Sequence, residues 1–129
     1  MPIDIFFDGN KKVNAVIDGF TVKTDQSLQS GGDSSAPTPF SLFLASLGTC
    51  AGIYVKSFCD QRGLDTSEMR IIMDYEYDSA NKMIAKFIMR IHVPAGFPDQ
   101  YDAAIMKTAS LCAVKRLSLI HISEPTRPY

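Results

Sequence analysis

Three side chains in this sequence have redox-capable thiols: Cys50, Cys59 and Cys112. The first residues, MPIDIFFDGNKK, lack the basic start and apolar run of a signal peptide, so a cytoplasmic chain is expected. An odd cysteine count in such a chain does not read as a disulfide scaffold. Its thiols are then either small core hydrophobes or redox groups. Cys50 and Cys59 fall half a turn apart on a straight helix and cannot pair within it. Cys59 lies at the C-terminal end of that helix, where the dipole disfavours a thiolate, and reads as a small hydrophobe. Cys50 and Cys112 belong to the apolar stripes of two different helices. Facing each other across a helix crossing, they would make an attacking and a resolving thiol. Two apolar stripes that each hold a cysteine by chance is the reading that pattern alone favours. A zinc set of Cys50, Cys59, Cys112 and His92 lacks a close cysteine pair of metal-binding spacing. No metal or cofactor is therefore expected, and His92 reads as a strand residue on a polar face.

The elements that would hold these thiols follow from periodicity. Ile3, Ile5 and Phe7 alternate with Asp4 and Asp8, and Val13, Ala15 and Ile17 alternate again after Asp8-Gly9-Asn10. Asp18-Gly19 is a hairpin signal, and Phe20, Val22 and Thr24 follow as a third strand. Gln26 to Ser35 reads as a mobile connector without packing residues. Thr38-Pro39 starts a helix as N-cap and first helical residue. Phe40, Phe43, Leu44, Leu47, Ala51, Tyr54 and Phe58 form its large stripe; Leu42, Ala45, Gly48, Gly52 and Val55 form a smaller apolar side. Such a helix is expected to be buried on several sides, with Gly63 ending it. Arg70–Asp78 and the alternating run Ala85 to Val93 form a long hairpin. Asp99–Arg116 reads as a second helix with Tyr101, Ile105, Ala109, Cys112 and Ala113 inward. Runs of strands rather than βαβ alternation indicate an α+β fold with a largely antiparallel sheet.

Length and charge bound the rest. At 129 residues one domain is expected, and a net charge of −1 with interspersed acids and bases argues against a nucleic-acid footprint. The uncharged run Phe40 to Val55 is shorter than a bilayer span and carries Ser41, Ser46, Gly48, Thr49 and Gly52, so no membrane partner is expected. The last residues, LSLIHISEPTRPY, give neither a helical stripe nor a period-two strand. They resemble the translation of a transposase-adapter sequence used in short-read library preparation. Residues 117–129 are therefore expected to be a non-native tail, and residues 1–116 the domain.

Residues 1 to about 116 resemble the OsmC/Ohr family. The likeness rests on GGDSSAPTPFSLFLASLGTC ending at Cys50, on FCDQRGL from Phe58 to Leu64, and on CAVKR from Cys112 to Arg116. The resemblance implies an OsmC-like α+β fold with two long central helices and an intertwined homodimer. The N-terminal meander of one chain would complete a sheet of the other. It also implies a thiol peroxidase for organic hydroperoxides in which Cys50 attacks, Cys112 resolves, and an external dithiol reduces the disulfide. Two departures bear on the chemistry. Peroxidases of this family carry a glutamate just after the helix-initial proline, where this chain has Phe40. They also carry an arginine near the first hairpin turn, where this chain has Asn10, Lys11 and Lys12. A lysine supplies a point charge without arginine's fork. The alternative implied is an OsmC-like small-molecule-binding module that kept the cysteines and lost efficient peroxide reduction.

Overall fold

Two tight turns fold the first 22 residues back on themselves. In the computed structural model Asp18 and Gly19 both have positive φ, 51° and 83°, and Ile17 pairs with Phe20 across them. This is a two-residue primed turn, whose twist suits an antiparallel hairpin. The structure describes residues 2–110 and 121–126; for residues 83–85 and 121–126 it describes the backbone alone. The chain falls into two compact units, residues 1–44 and 45–129.

In the first unit, β1 (Asp4–Phe7), β2 (Val13–Ile17) and β3 (Phe20–Val22) form an antiparallel sheet in chain order. Register sets Ile5, Ala15 and Val22 in line, Phe7 opposite Val13 and Ile17 opposite Phe20. Cross-strand partners share a face, so this face is wholly apolar. Within the chain it lies open: Phe7 is 82% and Phe20 73% exposed.

The segment after β3 differs from the expected unpacked connector. It contains a 3-10 turn, Leu28–Ser30, capped by the Ser27 side chain, and it folds around Asp25, which is fully buried. The Asp25 carboxylate accepts hydrogen bonds from the backbone N–H of Gln26 (2.7 Å), Asp33 (3.5 Å) and Ser35 (3.1 Å), and from the Ser35 hydroxyl. A buried carboxylate orders here a segment that was expected to be a mobile connector.

The first helix, α1 (Pro39–Gln61), begins as expected: Thr38 Oγ1 accepts from the Ser41 N–H at 3.2 Å. It ends at Gly63, whose φ of 65° lets the Leu64 N–H turn back to the Cys59 carbonyl at 2.9 Å. In the second unit, β4 (Arg70–Asp78) and β5 (Met83–His92) form a long antiparallel hairpin with a register shift at Glu76/Tyr77. The pairs Ile71–Ile91 and Met73–Met89 face α1; Arg90 and His92 alternate to the other side of β5, as the strand reading of His92 required. Ala51, Val55, Phe58 and Cys59 of α1 pack with Met89, Ile91, Val93, Phe97, Ile105 and Ala109 into one core. Fully burying an Ile or Leu side chain contributes about 1.5–3 kcal/mol, so Leu47, Ile91 and Ile105, each at most 2% exposed, anchor this unit. Gly48 and Gly52 let β4 side chains meet the helix closely: a β-carbon at Gly48 would stand 2.7 Å from the Met73 sulfur.

The expectation that α1 is buried on several sides is corrected. Its covered stripe is Leu47, Ala51, Val55, Phe58 and Cys59, while Phe40, Phe43, Ile53 and Tyr54 are 36–59% exposed. The sheet meets α1 on the side of Val55 and Cys59, so part of the large stripe is left outward. By length and composition α1 could cross a membrane, but its glycines are seated on a sheet. The second helix starts with a 3-10 turn at Asp99–Tyr101 and continues as α2 (Asp102–Ala109). The expected continuation to Arg116, with Cys112, lies outside the described residues. A sixth strand, β6 (His121–Thr126), runs parallel to β5 from Phe87–His121 to His92–Thr126, in the segment where no strand was expected. Pro125 has no N–H to give to a ladder, which is tolerated because β6 is an edge strand.

Candidate functional site

Cys50 occupies the middle of α1, half-buried against the flank of the core. Leu47 and Tyr54, one turn before and after it, lie on the same side of the helix: Leu47 is 2% exposed and Tyr54 36%. The thiol therefore sits at the border between packed core and open apolar surface.

Cys59 is in a different state. It is fully buried, and burial pushes its thiol up from the ordinary value, with the Asp60 carboxylate acting in the same direction. This agrees with the reading of Cys59 as a small hydrophobe. Arg62 lies nearby with its guanidinium carbon 3.7 Å from the Phe58 ring centroid, and it donates to the Phe58 carbonyl at 3.1 Å. Cys112 is outside the described residues, so the pairing of Cys50 with Cys112 is neither made nor broken by this geometry. Among the described residues no three His, Cys, Asp or Glu side chains gather as a metal site.

The cations near the first turn divide into two kinds. Lys12 Nζ lies 2.5 Å from Asp33 Oδ2, and that bond holds the lysine pKa above its usual value. Asn10 ties the same turn to the glycine loop, donating to the Gly31 carbonyl at 3.0 Å and to Asp33 Oδ1 at 3.3 Å. Lys11 is exposed and has no ion pair among the described residues. Phe40, just after the helix-initial Pro39, is 48% exposed and tilts against Phe43 at 6.3 Å between ring centroids.

Sequence reasoning missed Asp25 and its partners. The available signal was an aspartate followed by GGDSS, a run of small hydrogen-bonding residues suited to wrapping a carboxylate. Hydrogen bonds from Ser35 first, then from Gln26, hold the Asp25 carboxyl well below the usual carboxylate range.

The two helices, the N-terminal meander and the helix-covered hairpin define an α+β domain of OsmC-like architecture. A family profile described as OsmC-like protein matches residues 31–122, well over half of the chain, and the chain belongs to that family. No curated protein matches it in sequence. Solved structures share the fold at low identity. A protein of Psychrobacter arcticus described as an osmotic stress induced and detoxification response protein superposes with a TM-score of 0.82 at 14% identity, covering 98% of this chain and 94% of that one. An OsmC-like protein of Mycoplasma pneumoniae gives 0.79 at 9% identity, with 99% and 96% covered. A Legionella pneumophila protein described as the organic hydroperoxide resistance protein OsmC gives 0.64 at 15% identity, with 99% and 96% covered.

Proposed function

We propose that the chain is a thiol-dependent peroxidase for organic hydroperoxides, cytoplasmic and homodimeric, with Cys50 as the attacking residue. The observation that carries this reading is the contrast between the two described cysteines. Cys59 is sealed in the core, whereas Cys50 is reachable from an open apolar flank. In the reaction the Cys50 thiolate attacks one peroxide oxygen, the O–O bond breaks, and the alkoxide leaves as an alcohol after taking a proton. Cys50 is left as a sulfenic acid. Cys112 condenses with it, releasing water and forming a disulfide that an external dithiol reduces by exchange. The exposed apolar face of β1–β3, with the outward aromatics of α1, supports a second copy as the partner.

A second reading, a small-molecule-binding module with weak peroxidase activity, is favoured by one observation. Lys12, a candidate for the missing arginine's charge, is held by Asp33. The two readings separate in one assay. The reduced protein is mixed with cumene hydroperoxide, and thiol loss is followed beside a Cys50→Ser variant. Rapid loss in the wild type and none above background in the variant supports the peroxidase. Equal, slow consumption in both supports the binding module. Residues 117–129 are retained as a proposed adapter-derived tail; an independent, adapter-trimmed assembly encoding the same residues would overturn that.

A further inference from the structure

On the flank of α1 turned away from Cys50, a cleft of about 230 Å³ opens between the helix and the start of β4. Gly52 is two residues past Cys50 and so about 200° round the helix from it. The floor is apolar: Gly52, the buried Val55, and the half-buried Met69 and Ile71. The rim carries Lys56, Thr66 and Arg70. We propose that this cleft binds a small amphipathic monocarboxylate, its short alkyl chain on Val55, Met69 and Ile71 and its carboxylate on Arg70.

Three features favour that ligand class. The cleft is smaller than the roughly 300–1,000 Å³ of sites for drug-sized ligands, which limits the occupant to a short chain. Arg70 is held in place by its own backbone, its Nη1 donating to the carbonyls of Ser67 (3.2 Å) and Met69 (2.7 Å). It has no carboxylate partner among the described residues, which leaves a fixed guanidinium of the kind that takes a carboxylate in fork geometry. Lys56 adds a second positive charge. It is shared with Asp60 at 2.7 Å, but that pair is exposed on both sides and weak enough to open.

Gly52 is also what keeps the cleft open. A β-carbon there would meet only Ile71 Cδ1, at 3.7 Å, an ordinary contact. Gly52→Ala therefore narrows the floor without a clash, and alanine is the better helix former. The variant takes up part of the ligand's space while keeping the fold.

The test is a titration of the full chain with sodium hexanoate, followed by amide NMR shifts at Gly52, Arg70 and Ile71, beside hexan-1-ol. The expected result is saturable shifts with hexanoate. Affinity should fall at least about tenfold in Arg70→Gln, from loss of a charge-assisted pair. It should fall likewise in Gly52→Ala, whose melting temperature is no lower than wild type. An absence of saturable shifts overturns the proposal, as does unchanged affinity in both variants. Equal binding of hexan-1-ol overturns the carboxylate assignment. Cumene hydroperoxide consumption stays at its wild-type rate in Gly52→Ala, so the cleft and the Cys50 chemistry stand or fall separately.

Discussion

Gly31 and Gly32 are adjacent, and an alanine at each is expected to destabilise the first unit for a different physical reason. Gly31 has a φ of 88°, and the nearest atom to an added β-carbon is Lys11 Cε at 3.7 Å. There is space, so the cost is the left-handed backbone, about 1–2 kcal/mol for a residue with a β-carbon. The reduced freedom of the unfolded chain returns about 0.4–1 kcal/mol of that. Gly32 has no positive φ to protect. Its added β-carbon would stand 2.2 Å from the Gln26 carbonyl oxygen, 2.5 Å from the Gln26 carbonyl carbon and 2.8 Å from Asp25 Oδ1.

Those neighbours cannot yield easily. The Gln26 carbonyl accepts from the Ser34 N–H at 3.1 Å, and the Gly32 N–H donates to the Ser27 carbonyl at 2.9 Å. Relieving the clash means parting the two backbone segments and losing their hydrogen bonds. The cost is expected at the upper end of the roughly 1–3 kcal/mol for overpacking, or above it. One kcal/mol moves the midpoint by roughly 4 °C in a chain of this size. Gly31→Ala should then melt at most about 6 °C below wild type and Gly32→Ala about 10 °C or more below. Circular dichroism melts, with urea midpoints as a second measure, give the order. A Gly32→Ala variant that melts with wild type, or above Gly31→Ala, would refute the wrapped-carboxylate account of this loop.

Three further outcomes are expected. Because Asp25 has its carboxyl held low by hydrogen bonds, its contribution is complete above the unfolded value of about 4 and is lost as pH falls towards the depressed folded one. Asp25→Asn should therefore be less stable than wild type at neutral pH, and the gap should close in melts taken at increasingly acidic pH; a gap that widens on acidification contradicts the sign. Iodoacetamide, mapped by peptide mass, should label Cys50 in the folded protein and Cys59 only after denaturation, since Cys59 is buried with a raised thiol pKa; early labelling of Cys59 contradicts the packing. Phe20→Lys puts a charge on the open face of β1–β3 and should convert the proposed dimer to a monomer in sedimentation velocity, with little change in the fold; an unchanged sedimentation coefficient contradicts that face as the proposed interface.

What the sequence disclosed and what it hid divide along a physical line. Local rules read well: the Asp18-Gly19 turn, the Thr38 cap, the Gly63 stop and the alternation of β4 and β5 depend on neighbours a few residues away. The side of α1 that packs inward did not. An almost uniformly apolar helix has no polar face to mark its outside, so the covered stripe was settled by where β4 comes down, on Gly48 and Gly52. The loop around Asp25 was illegible for the opposite reason. Ser, Gly and Asp favour turns and open connectors alike, and only the convergence of three N–H groups and one hydroxyl on a single carboxylate separates them.

As the proposed attacking thiol, Cys50 needs a positive charge nearby to hold its thiolate. It lies three turns inside α1, beyond the reach of the helix dipole, which fades within the first turn. Phe40 brings no charge, and Lys12 brings a charge already bonded to Asp33. Lys11, in the same turn, carries a charge that no acid pairs with among the described residues. Lys12→Met should loosen the Asp33 loop and lower the melting midpoint in circular dichroism, and an unchanged midpoint would show that the pair adds nothing to the first unit.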